Sequence, residues 1–80
     1  GGYGPLRIAL ELQQKGVEKE TIRLALREAK IDWQALLFRL LERRQPLPDD
    51  VAARYKLQNA LQRKGFSLDL IQRCLPVTEI

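Results

Sequence analysis

Covalent catalysis in water needs a nucleophile and a base placed to activate it, and this chain has few groups to supply either. It contains no histidine, one cysteine, Cys74, and one serine, Ser67. A Ser-His or Cys-His pair is thereby excluded, as are a disulfide within the chain and a zinc site of the usual Cys/His kind. The chain reads as a non-enzyme that takes no metal and no cofactor. What it does carry is charge: 14 Lys and Arg against 10 Asp and Glu leave a net +4, with a pI near 9.6. That balance favours a polyanion or an acidic protein partner, although many proteins without such a partner share it.

The cations are not scattered. Lys19, Arg23, Arg27 and Lys30 recur at i, i+4, i+8 and i+11, a spacing that puts all four on one side of a helix. Glu20 and Glu28 fall on the other flank of that ridge, which leaves the cations poorly neutralised. Arg39, Arg43 and Arg44 form a second cluster. Such a ridge is most often a solvated face, yet joined in space the two clusters would make a patch able to meet an acidic groove or a nucleic-acid backbone. These seven residues are the candidate partner-binding set.

Elements able to position them follow from periodicity and end signals. Eighty residues make at most one compact domain, burying about 60% of its unfolded surface. A hydrophobic share of 45%, a charged share of 30% and only 6% aromatics point to a globular all-α chain, neither disordered nor a β-sandwich. Pro5 and Gly16 bracket a first helix with Pro5, Ile8, Ala9 and Leu12 on one stripe. A second, roughly 18–29, buries Ile22, Ala25, Leu26 and Ala29. Asp32 caps a third, 33–44, whose stripe is Trp33, Leu36, Leu37, Leu40 and Leu41; Trp33 is expected at the centre of a three-helix core. The Pro- and Asp-rich stretch 45–50 is the linker. A fourth helix, 50–64, aligns Ala53, Leu57, Ala60 and Leu61 before Gly65, and Ser67 caps a short fifth that Pro76 ends. Cys74 reads as a small core residue. Leu6, Leu10, Leu24 and Leu70 lie off the stripes, where packing between units or against a preceding segment accounts for them better than a partner site.

The second part of the chain repeats the first. A shift of 49 residues places Leu61, Gln62, Lys64, Gly65, Ile71 and Leu75 on the identical residues Leu12, Gln13, Lys15, Gly16, Ile22 and Leu26, six identities in fifteen positions. One structural unit is used twice. The expected division is a three-helix repeat over 1–48, with the third helix closing the first copy, and a shorter second repeat over 49–80. The Lys-Gly turn between two helices is shared with DNA-binding helix-turn-helix motifs. A base-reading second helix, however, needs polar side chains at its leading end, and these open with Glu18, Lys19, Glu20, Thr21 and with Ser67, Leu68, Asp69, Leu70. Non-specific DNA binding through the basic face remains the alternative function.

Particular residues also carry a family likeness. Gly2-Tyr3-Gly4-Pro5-Leu6-Arg7-Ile8, Glu11-Leu12, Lys15-Gly16-Val17, Ile22, Asp32-Trp33, and in the second copy Lys56-Leu57, Leu61, Arg63-Lys64-Gly65-Phe66 and Ile71 resemble the RecX regulatory proteins over essentially the whole chain. The resemblance implies tandem three-helix repeats that bind the bacterial RecA recombinase filament, lodge in its groove and inhibit recombination, ATP hydrolysis and repressor cleavage in DNA repair and the SOS response. It implies a binding regulator with no catalytic residues to transfer. The family usually has three repeats, and this chain looks like the second and third; the lack of any methionine, position 1 included, likewise leads one to expect a piece of a longer protein. No apolar run approaches the ~18–20 residues of a membrane span, and no signal-peptide pattern opens the chain. A cytoplasmic protein with a reduced Cys74, RecA filaments as partner and no small-molecule substrate is the resulting expectation.

Overall fold

A computed structural model describes residues 2–76. Among these residues the regular elements are five helices: α1 (Pro5–Gln14), α2 (Lys19–Glu28), α3 (Trp33–Glu42), α4 (Val51–Arg63) and α5 (Leu68–Cys74). Each lies within two residues of the span its sequence signals predict, since the signals act locally. Asp32, Asp50 and Ser67 accept from the backbone N–H of Ala35, Ala53 and Leu70 at 3.0, 3.1 and 3.2 Å, each satisfying one orphan donor of a first turn.

The two Lys-Gly turns are built alike. In the first, Gly16 N–H donates to Gln13 C=O at 3.0 Å and Val17 N–H to Leu12 C=O at 3.0 Å. In the second, Gly65 N–H donates to Gln62 C=O at 2.9 Å and Phe66 N–H to Leu61 C=O at 3.3 Å. This paired 5→2 and 6→1 pattern needs a left-handed residue after the helix. Gly16 and Gly65 supply it at φ 91° and 101°.

Packing corrects the expected grouping. The third helix does not close the first copy: its main partner is α5, which also packs on α4, while α1 pairs with α2. Leu37 and Leu41 of α3 join Leu57, Leu61, Phe66, Ile71 and Leu75 in one buried cluster. Two local features account for this. Lys30, at φ 50°, breaks the helical path after α2 and redirects the chain, and Phe66 offers α3 a larger apolar anchor than its counterpart Val17. Trp33 is also displaced from its expected place. It is half-buried at the margin of the cluster, whose centre is Leu37, Leu61 and Ile71, each 0% exposed.

Among the described residues the core contains one polar side chain, which no apolar stripe announces. Gln58 is buried and its Nε2 donates to Leu75 C=O at 2.9 Å, satisfying a carbonyl at the end of α5, where the last helical carbonyls lack intrahelical partners. Arg54 ties the linker down from the same helix, donating to Pro48 C=O at 2.7 Å and to Pro76 C=O at 3.0 Å. The molecule is elongated, 43 × 21 × 20 Å.

Candidate functional site

The Gly2–Pro5 segment works as a strap between the hairpin α1–α2 and the bundle α3–α5. Gly4 N–H donates to Lys64 C=O at 2.8 Å and Leu6 N–H to Gly65 C=O at 2.9 Å. Arg7 Nη1 adds a longer bond to Arg63 C=O, 3.3 Å. The open N-terminal donors of α1 therefore meet the open C-terminal acceptors of α4, opposite ends of two helix dipoles. Contact is close enough to dictate glycine on both sides. A Cβ at Gly4 would lie 2.6 Å from the Gly65 carbonyl group, and one at Gly65 2.3 Å from the Arg7 backbone N. Tyr3 lies beside this junction with the Arg7 guanidinium 4.7 Å and the Lys64 ammonium 5.7 Å from its ring centroid, both within cation–π range. The Gly-Tyr-Gly-Pro motif is thus an inter-unit joint, a role that spacing within one chain segment does not display.

The candidate cations fall into several groups. On α2, Lys19 and Arg23 border an apolar cavity of about 270 Å³ with Ala9, Gln13, Ile22 and Leu26. Arg27 is exposed on the same helix, whereas Lys30 lies beyond its end in the left-handed turn, so the helical ridge holds three cations and not four. Arg23 is also better neutralised than the sequence suggests: its Nε donates to Glu20 Oε2 at 3.1 Å. The Arg23 guanidinium holds the Glu20 carboxyl below its usual range, and Glu20 in turn raises Arg23. Arg39 of α3 and Arg43, just past the end of that helix, border a cavity of about 320 Å³ with Gly2, Leu36 and Leu40. Arg44 faces a different one, also about 320 Å³, together with Lys56, Pro48, Ala53, Leu57 and Ala60. Arg39 and Arg43 are thus brought together, and Arg44 joins Lys56. The α2 and α3 groups border separate cavities. Several large apolar side chains are also exposed, with Leu6 58%, Leu10 52%, Ile31 45% and Phe38 44% exposed.

Among the described residues no group of three or more His, Cys, Asp or Glu could hold a metal ion, and no helix is long and apolar enough to cross a membrane. Burial pushes the Cys74 thiol up, with the Arg73 charge acting in the opposite direction. A raised thiol is poorly ionised and a weak nucleophile. The exposed chemistry is one of contact: backbone acceptors, guanidinium and ammonium groups, and isolated apolar side chains.

Comparison with known families agrees with the packing. The third three-helix domain of RecX matches residues 31–75, the same α3–α5 segment that shares one core, and the second three-helix domain matches residues 1–26. The chain belongs to the RecX family. The Regulatory protein RecX of Pseudomonas fluorescens is 43% identical over 76 residues, covering 92% of this chain and 49% of the relative. That of Salmonella typhimurium is 39% identical over 74 residues, covering 90% and 45%. The chain spans about half the length of the curated relatives it matches. No solved structure matches it. RecX proteins carry the name of regulators, in keeping with a surface suited to contact, and the helical repeats are those of this family.

Proposed function

We propose that this chain binds the RecA recombinase filament and modulates it negatively, in recombination, ATP hydrolysis and coprotease activity, by occupying the filament groove without chemistry of its own. Membership of the RecX family carries this reading. The elongated 43 Å shape suits a ligand that lies along a groove. Exposed cations on α2 and α3 and just past their C-terminal ends, Lys19, Arg23, Arg27, Lys30, Arg39, Arg43 and Arg44, would speed capture by an acidic wall, and exposed apolar side chains such as Phe38 would set residence time. Cytoplasmic location follows from a cytoplasmic partner.

Charge reversal tests the proposal. Arg23, Arg27, Arg43 and Arg44 are all exposed, so changing all four to Glu is expected to keep the helical spectrum. The variant is expected to inhibit ATP hydrolysis by RecA on single-stranded DNA less than the unmodified chain, with the difference shrinking as salt screens charges beyond ~8–10 Å. Equal inhibition by a folded variant at low salt would reject this face. Binding of the unmodified chain to naked DNA with a steep salt slope, and no added affinity for filaments, would favour the DNA-binding alternative.

A further inference from the structure

The two copies of the repeat differ in what covers them. At the second Lys-Gly turn, Arg63, Lys64 and Gly65 C=O accept from Arg7, Gly4 and Leu6, and Gly65 is buried. At the first turn, no donor among the described residues reaches the C=O groups of Gln14, Lys15 or Gly16. Gly16 is exposed, with nothing within 4 Å of a Cβ built on it. The apolar faces differ in the same sense. Leu57, Leu61, Phe66, Ile71 and Leu75 are all buried, whereas of their counterparts Ile8, Leu12, Val17, Ile22 and Leu26 only Ile22 is.

We propose that the Lys15–Gly16 turn is a second strap socket, filled by the start of a helix one repeat upstream in the same polypeptide. Equivalence of the two turns, in dihedral angle and in both internal hydrogen bonds, carries the assignment. Its occupant must donate two backbone N–H groups to Lys15 and Gly16 C=O, as Gly4 and Leu6 do at the other turn. It must also carry glycine at the position equivalent to Gly4, because a Cβ there would strike the turn. The RecX relatives are about twice as long as this chain, and the match here is to their second and third domains, which leaves room upstream for such a segment. The half-covered α1–α2 face would be closed from the same side of the sequence.

The test extends the chain by its own repeat. Residues 1–49 are duplicated ahead of Gly1, which places a copy of the Gly2–Pro5 strap one repeat upstream of the native one. The proposal expects the Gly4 and Leu6 amides of the added strap to exchange on the order of tenfold or more slowly than in an unstructured peptide. Gly16→Asn, in which asparagine tolerates φ > 0 but fills the docking space, is expected to lower the urea midpoint when placed in the inner copy. In the outermost copy, where the socket stays open, the same change is expected to have little effect. Equal effects at both places, unprotected strap amides, or failure of the extended chain to unfold as one cooperative unit would overturn it. So would concentration-dependent self-association of the original chain that Gly16→Asn abolishes, because the socket's occupant would then be a second molecule.

Discussion

Replacing each turn glycine by alanine separates backbone strain from docking. Both sites hold a left-handed residue, at φ 91° and 101°, so each alanine costs about 1–2 kcal/mol on that ground. Gly16→Ala meets open space and stops there. Gly65→Ala also drives a methyl group to 2.3 Å from the Arg7 backbone N, which the structure can relieve only by releasing the strap. Release forfeits the Gly4–Lys64 and Leu6–Gly65 hydrogen bonds, at about 0.5–1.5 kcal/mol each. Gly65→Ala is therefore expected to cost ~2–5 kcal/mol against ~1–2 for Gly16→Ala. Urea unfolding followed by circular dichroism measures the difference, and hydrogen exchange at Gly4 and Leu6 shows whether the strap has left. Equal losses at the two glycines, or a Gly65→Ala protein with both amides still protected, would refute the reasoning.

The remaining expectations concern the core and the thiol. Leu37→Ala, at a fully buried position, is expected to cost about 2–5 kcal/mol, and thermal melts should show a loss no smaller than for the half-buried Trp33→Ala; a near-unchanged Leu37→Ala melt would contradict the assigned core. Gln58→Ala strands the Leu75 C=O and is expected to cost ~1–3 kcal/mol by urea titration, so a neutral result would mean that water reaches that carbonyl. Burial raises the Cys74 thiol, so its alkylation at pH 8 is expected to run slower than in an unstructured cysteine peptide, with the gap closing in urea. The sign for stability is the same: a raised folded-state pKa contributes stability below the unfolded thiol's pKa that is lost as pH rises through the folded one. Equal alkylation rates in the folded and unfolded chain would contradict the raised thiol.

Helix ends were legible because their signals are local: Pro5, Asp32, Asp50, Ser67 and the two turn glycines act on backbone groups within four residues. The repeat was legible because six identities recur at core and turn sites or beside them. The partner of α3 was not, since its leucine stripe would fit either hairpin and the choice turns on the chain reversal at Lys30 and on Phe66 replacing Val17. Gln58 escaped because a polar residue on a buried face gives no periodic signal, and its acceptor is 17 residues away. The strap shows the same limit at greater range. Gly2-Tyr3-Gly4-Pro5 is readable as a helix start, but its contact with Lys64-Gly65 joins segments that no local rule connects. Among the candidate cations, periodicity found Lys19, Arg23 and Arg27 on one helix. It could not show that Glu20 reaches Arg23, or that Arg44 borders a cavity with Lys56 and not the one that Arg39 and Arg43 border.

The claim that this RecX-family chain acts by contact with a filament is tested most directly by sedimentation. The chain is spun with RecA filaments preassembled on single-stranded DNA, with the same DNA alone, and by itself, at low and near-physiological salt. It is expected to pellet with the filaments at both salt concentrations and to stay in the supernatant in the other two mixtures at near-physiological salt. Pelleting no greater with filaments than with naked DNA would contradict the account.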